Sequence, residues 1–433
     1  MGEMRVLSFE ANSKIGKEIQ LQGWMHLRRD HGKLIFLDLR DRAGIIQLVV
    51  NPKTSEEAHK VASELRSEDV IEVAGTVKKR PAGTINKDLK TGEIEIEVAS
   101  IKIISKAATL PLDMGAEDLN LELPTLLDHR SLTLRHPQVS SIFKVQEAIV
   151  DSFRETAKKL DCTEIFVPTL ASGASEGGAD VFEVDYYGHK AYLTQSPQLY
   201  KQMLVPVFER VYTISKAYRA EPSVTTRHLS ENTQMDCEFG FVDFDQLLNL
   251  LEEVASGILK ADKTAKIPVK IPRLSLSEAF GILKREAQDD LSPKDEIGLS
   301  DWALDKHGSD LLTIHRFPTK KRAFYTMPDP EEPKHSLSYD ILFRGLEIAS
   351  GSQRINNYEQ LIETMEKRGL DPKNFGMYLQ AFKYGMPPEG GFSFGLERIT
   401  MKAMGLSNIR EASLFPRDME RVDERFSKVE VKK

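Results

Sequence analysis

The segment GEIEIEVASIKIIS, residues 92–105, places Glu93, Glu95 and Glu97 at every second position of an otherwise apolar run. A period of two does not suit a helix. It puts one face of a strand in a core and the other in water. Four earlier segments share the signature: KEIQLQGWMHLRRD, which alternates and then turns charged, KLIFLDLRD, GIIQLVV after a glycine turn, and DVIEVAGTVKKR. Only EEAHKVASEL, residues 56–65, breaks the series with a helical pattern. Residues 17–106 therefore predict a small β domain of five strands with one inserted helix.

That count matches the OB-fold β-barrel, which commonly presents one face to single-stranded nucleic acid. The predicted barrel domain spans residues 1–106. Residues 107–134 carry prolines and turn residues without a sustained period and read as a linker or hinge. The chain has 433 residues, enough for a second and larger core over 135–433. This part opens with a helix over 138–160, apolar at Ile142, Val145, Ile149, Phe153 and Ala157, and a strand in TEIFVPTL follows. Further strands are expected in KAYLTQS, RVYTISKAYRAEP, TQMDCEFGFVD and LEIASGS, with a helix near 243–261 and another entered from EGGFSFGLERITMKAMG. The mixture predicts an antiparallel sheet flanked by helices, and an α+β chain overall.

A net charge of -7 argues against a non-specific nucleic-acid binder. It does not exclude an RNA enzyme, because basic clusters such as Arg28-Arg29 and Lys78-Lys79-Arg80 sit in the barrel segment. Two cysteines, Cys162 and Cys237, do not make a disulfide framework; two buried thiols in a reducing cytoplasm fit better. No run approaches 18 apolar residues and the N-terminus has no apolar h-region, so neither a membrane span nor a signal peptide is expected.

Four stretches could carry chemistry. YRAEPSVTTRHLSENTQMDCE, residues 218–238, sets Arg219 and Arg227 on a strand–loop–strand, where guanidinium forks suit an oligophosphate. A solvated charged hairpin has the same composition. YDILFRGLEIASGSQR, residues 339–354, offers Asp340, Glu347 and Ser350 as hard oxygen ligands for Mg²⁺ on phosphates, followed by Arg354. Glu347 in a mostly apolar strand calls for a partner if it is buried, and the alternative is an edge strand with Glu347 in water. GGFSFGLERI, residues 390–399, permits close backbone approach and brings Arg398 to a strand–helix junction, but it is not a P-loop. AYLTQSPQLYKQML, residues 191–204, could converge Gln195, Ser196, Gln198 and Lys201 on a small polar ligand, beneath the Gly/Ser-rich loop SGASEGGADVF.

Together and in this order, these stretches resemble the aspartyl-tRNA synthetases, which are class II aminoacyl-tRNA synthetases, from about residue 17 to 416. GWMHLRRDHGKLIFLDLRDRAGIIQLVV resembles the family's anticodon-binding barrel, and the second domain its compact archaeal and eukaryotic catalytic form. The helix and strand ending at Pro168 match motif 1, the 218–238 stretch motif 2, and GFSFGLERI motif 3. The resemblance implies an ATP-dependent aspartate–tRNA ligase that uses Mg²⁺ and works as a cytoplasmic homodimer on tRNA(Asp). Charging of tRNA(Asn) as well is the alternative that compact members of the family suggest.

Residue roles follow by the same resemblance. Arg219 would hold the ATP α-phosphate and the reacting carboxylate, Arg227 and His228 the outer phosphates, Glu221 the adenine edge, and Leu229 would complete the nucleotide pocket. Arg398 would stack on adenine or reach the γ-phosphate. Glu347 and Ser350 would hold Mg²⁺ with support from Asp340, and Ser350 would also border the amino acid. L-Aspartate would be met by Ser175 and Glu176 at its amino group, by Gln198, and by Lys201 and Arg354 at its side chain. Two cations facing one carboxylate would leave asparagine's neutral amide a poor substitute. In the barrel, Phe36 would stack on the central anticodon base and Gln47 would hydrogen-bond to it, with Arg28, Arg80 and Glu95 as further contacts.

Two positions depart from the family pattern. Asn232 stands where an aromatic residue usually stacks on adenine, and Glu389 makes PPEGG of the usual PPHGG. They keep in play an RNA-binding protein with a retired active site, and an asparaginyl enzyme is a further competing reading.

Overall fold

The computed structural model describes residues 5–173, 181–220 and 225–426. The chain separates into two compact units, Met1–Leu121 and Glu122–Lys433. The division falls inside the segment expected as a linker.

In the first unit, β1 (Glu18–His31), β2 (Leu34–Asp41), β3 (Gly44–Val50), β4 (Val70–Lys79) and β5 (Ile94–Ser105) close into a barrel in the order β1-β2-β3-β5-β4. The expected helix is Glu56–Glu64, its first turn closed by Ser55, which accepts from the Ala58 amide. The alternation acts as predicted: Ile94, Ile96 and Val98 enter the core while Glu95 and Glu97 stay outside. The change of character along β1 also has a cause. Its residues 18–24 pair with β4 and residues 24–31 with β2, across a bulge between Met25 and Leu27. Gly75 lies at a second bulge, where a Cβ would come within 2.4 Å of the Glu97 carbonyl.

The second unit is built on an eight-stranded sheet. Its strands are β6 (Thr163–Glu164), β10 (Arg210–Tyr218), β11 (Glu231–Gly240), β12 (Arg273–Ser275), β13 (Leu311–His315), β14 (Ser338–Phe343), β15 (Leu346–Gln353) and β16 (Glu389–Gly395), in the order β12-β13-β14-β15-β16-β11-β10-β6. The interior of the sheet is antiparallel, and only the two edge pairs are parallel. A separate small sheet joins β7 (Leu170–Ala171), β9 (His189–Leu193) and β8 (Glu183–Tyr186). The strand expected in TEIFVPTL is cut to its two ends. Pro168 brings no N–H to a ladder, and Phe166 is 88% exposed.

Helix Pro137–Lys159 spends its stripe on this unit's own core, where Ile149, Phe153 and Ala157 pack with Leu251, Val254 and Ile258 of helix Phe244–Ile258. No helix among the described residues is long and apolar enough to cross a membrane.

Candidate active site

Register builds the site. Asp236 of β11 lies opposite Ser393 of β16, which lies opposite Ser350 of β15. Glu238, Gly391 and Ser352 form the next row. Directly paired residues share a face, so three strands bring carboxylates, hydroxyls and glycines to one surface. Gly391 is required there, because a Cβ would come within 2.3 Å of the Glu238 carboxylate.

At one end lies a cavity of about 310 Å³. It gathers Arg219, Arg227, His228, Leu229, Glu347, Ser350 and Arg398 from motifs 2 and 3 and from β15. Arg227 is held by Glu296 at 2.9 Å and by the Gly345 carbonyl at 3.4 Å. His228 Nδ1 lies 2.6 Å from Thr225 Oγ1. Arg398, in the first turn of helix Leu396–Ala403, donates to the Glu347 carbonyl at 3.0 Å and pairs with its carboxylate at 3.3 Å. The Glu347 side chain is 39% exposed, so it opens to the cavity instead of being buried in its strand. Burial raises the pKa of the neighbouring Glu296, opposed by Arg227. Asn232 lines the same cavity and brings an amide to it.

Of the proposed Mg²⁺ ligands, Glu347 and Ser350 border the cavity and Asp340 stands behind them, opposite Ser350 in the ladder. Asp340 Oδ1 is buried without a hydrogen-bond partner among the described residues, while Oδ2 accepts from Arg322 at 2.7 Å. Arg322 also donates to Ser350 Oγ at 3.1 Å, with its guanidinium 3.9 Å from the Phe317 ring centroid. No cluster of three or more His, Cys, Asp or Glu is formed among the described residues. Two carboxylates and a hydroxyl nevertheless suit Mg²⁺, which normally completes its shell with water and phosphate.

At the other end, four charges are buried together. Lys201, on helix Gln198–Met203, is 1% exposed and pairs with Asp236 at 2.9 Å and Glu238 at 3.1 Å. Arg354 forks onto Glu238 at 2.7 and 3.3 Å, and also donates to Ser352, Gln198 and the Gly391 carbonyl. Burial opposes charge on Glu238, but Arg354 and Lys201 outweigh it and bring the carboxyl down to about 2. Burial likewise opposes charge on Lys201, and Asp236 and Glu238 keep it above the ordinary lysine value. The two cations expected to meet the substrate are therefore already balanced by two carboxylates. Asp236 and Glu238 had no assigned role in the sequence, although the period of two in QMDCE places both on one face.

The barrel presents a second cluster. Arg29, Phe36 and Val49 form one cross-strand row, and Asp38 and Gln47 are paired in the next. Gln47 donates to Glu95 at 3.0 Å, Arg29 pairs with Asp38 at 2.9 Å, and His31 meets the Phe36 ring edge-on at 5.6 Å. Arg80 donates to the Ile94 carbonyl at 2.9 Å, and its buried Nη2 has no hydrogen-bond partner among the described residues. Arg28 is not brought to this face. It points toward the C-terminus of helix Glu56–Glu64 and donates to the Ser63 and Leu65 carbonyls. Arg29 stands in the Phe36 row instead, because adjacent strand residues face opposite sides. Ser175, Glu176 and Glu221 lie outside the described residues.

Residues 122–419 match the family described as class II tRNA synthetases (D, K and N), and residues 19–104 match the OB-fold nucleic acid binding domain. Among curated proteins, the chain is 40% identical to the aspartate–tRNA(Asp/Asn) ligase of Thermus thermophilus, over 97% of this chain and 100% of that one. It is 38% identical to the ligase of the same name from Archaeoglobus fulgidus, again over 97% and 100%. Among solved structures it is similar to asparaginyl-tRNA synthetase from Pyrococcus horikoshii in complex with asparaginyl-adenylate. The TM-score is 0.86 and the identity 31%, covering 97% of this chain and 99% of that one.

Proposed function

The chain belongs to the class II tRNA synthetases of the D, K and N group, and we propose that within it this aminoacyl-tRNA ligase activates L-aspartate with ATP and loads both tRNA(Asp) and tRNA(Asn). The observation that carries the amino acid is the buried cluster Lys201–Asp236–Glu238–Arg354. The Thermus and Archaeoglobus relatives, both named as aspartate–tRNA(Asp/Asn) ligases, support the wider tRNA range over the narrower one.

The substrate carboxylate enters beside Lys201 and Arg354, with Gln198 at hand. Its α-carboxylate oxygen attacks the α-phosphorus of ATP, the bond to the bridging oxygen breaks, and pyrophosphate leaves. Arg219 offsets the charge developing on the α-phosphate, and Arg227, His228 and Arg398 hold the outer phosphates. Glu347 and Ser350, with Asp340 behind them, would hold Mg²⁺, which when bound neutralises phosphate charge. In the second step the terminal ribose hydroxyl of tRNA attacks the adenylate carbonyl and AMP departs, its phosphate oxygen taking the proton. No protein base is assigned, because positioning and electrostatics can suffice. Glu221 at the adenine edge, and Ser175 with Glu176 at the substrate's amino group, complete the proposal.

On the barrel we assign Phe36 to stacking on the central anticodon base and Gln47 to its edge. Glu95, Arg80 and Arg29 flank them. Dimerisation is assigned to the exposed Phe166, Val207, Phe208 and Phe241, since the stripe of helix Pro137–Lys159 faces inward. The unpaired, buried Cys162 and Cys237 suit a cytoplasmic setting.

ATP–pyrophosphate exchange tests the amino acid directly. Aspartate should support exchange with kcat/KM at least about 10²-fold above asparagine, the scale on which a buried charge mismatch discriminates. A preference for asparagine would overturn the proposal and favour the asparaginyl reading that the Pyrococcus structure represents.

A further inference from the structure

Glu389 is the residue that makes PPEGG of the family's usual string, and the nucleotide and amino-acid roles above do not use it. It begins β16 and is 0% exposed. Its Oε1 accepts from Gln202 Nε2 at 2.7 Å. Its Oε2 is buried and meets no N–H or O–H donor among the described residues. The Glu238 carboxyl is its nearest charged neighbour on the same face, two rows along β11 and β16. Two neighbouring buried carboxyl groups escape mutual repulsion only if one carries a proton. Glu238 already accepts from Arg354 and Lys201, so the proton belongs to Glu389.

The charge balance requires the same. Lys201 and Arg354 face Asp236 and Glu238, two cations against two anions, all buried. From the other packed elements, Tyr325, Tyr339 and Tyr378 face Glu389 and Arg354, and none brings a positive charge. A third carboxylate would leave one buried negative charge without a partner among the described residues. Gln202, which binds Glu389, is itself fixed by Gln198 at 2.9 Å and Tyr378 at 3.2 Å, so the acid cannot swing out to water without breaking this chain.

We propose that Glu389 is a positioning residue that works as a neutral carboxylic acid, donating its proton to Glu238 so that the subsite offers no surplus negative charge to an anionic substrate side chain. This rests on the assignment of Lys201 and Arg354 to the aspartate side chain. Loss of the Glu389 proton adds an anion beside that subsite and opposes aspartate, while a neutral asparagine is not repelled. Burial raises the Glu389 pKa well above the usual carboxyl range, and Glu238 adds to the shift. For a raised acid the sign is fixed. The proton's contribution to folding is full below the ordinary glutamate range and is lost as pH rises to the folded value.

The test uses the full-length enzyme and Glu389→Gln, whose amide can donate to Glu238 and accept from Gln202 as the acid does. Infrared difference spectra at neutral pH should contain a protonated carboxylic C=O band in the wild type that Glu389→Gln lacks. If the variant does not fold, Glu389→Asp should shift the band instead. Pyrophosphate exchange across pH should show the wild-type KM for aspartate flat while the band persists, rising about tenfold per pH unit wherever it bleaches. In Glu389→Gln the KM should stay within about threefold of the neutral wild-type value throughout, and KM for asparagine should not follow the band. A missing band at neutral pH, a KM that ignores bleaching, or a tenfold or greater rise in Glu389→Gln would each overturn the proposal. A wild type that prefers asparagine would defeat the subsite assignment instead, and the band would still report the proton on Glu389.

Discussion

Arg219→Ala is expected to lower aspartate-dependent pyrophosphate exchange by about 10²–10³-fold, the scale of removing one donor aimed at developing charge. The residue lies just past the end of β10, its amide donates to the Ser230 carbonyl at 2.9 Å, and it lines the cavity assigned to ATP. Truncation keeps that backbone bond and leaves the strand pairing of β10 and β11 untouched, so the fold should survive. The loss should fall mainly on kcat, because the α-phosphate gathers its extra charge only as pyrophosphate departs. A variant with near-normal exchange would remove Arg219 from the reaction.

Lys201→Met should be costly in two ways. It leaves Asp236 and Glu238 buried with one cation between them, and breaking a buried pair typically costs about 3–5 kcal/mol. It also removes one of the two cations assigned to the aspartate side chain. The effects can be separated with Lys201→Met/Asp236→Asn, which withdraws one charge of each sign and leaves Glu238 on Arg354. Denaturant unfolding should recover most of the lost stability in the double variant, while aspartate activation stays lost. Recovery of activation together with stability would make Lys201 a structural ion-pair partner only.

The parts of the molecule that were legible in the sequence are those governed by local periodicity. Ile94, Ile96 and Val98 against Glu95 and Glu97 fixed the inner face of β5, and a single helix between β3 and β4 completed the barrel. The residues of motifs 2 and 3 and of β15 line one cavity because they stand on, between or just past the adjacent strands β10, β11, β15 and β16. What escaped depends on distant partners or on one-residue geometry. Lys201 meets Asp236 across 35 residues and Glu238 meets Arg354 across 116, so neither charge balance can be read from either string alone. Arg28 and Arg29 look equivalent in sequence, but one residue decides whether a side chain closes a helix end or joins the Phe36 face. TEIFVPTL has strand composition, yet Pro168 and the exposed Phe166 leave only its ends paired. Arg322, which ties Asp340 to Ser350, carried no motif at all.

The proposed enzyme loads one amino acid onto two tRNAs. The most direct measurement is aminoacylation of purified tRNA(Asp) and tRNA(Asn) transcripts with labelled aspartate and, separately, labelled asparagine. Aspartate should be esterified to both transcripts with efficiencies within about tenfold of each other, since one changed anticodon base is worth roughly 1–3 kcal/mol only where the protein reads it strictly. Asparagine should label neither. Aspartate on tRNA(Asp) alone, or asparagine on tRNA(Asn), would contradict the account.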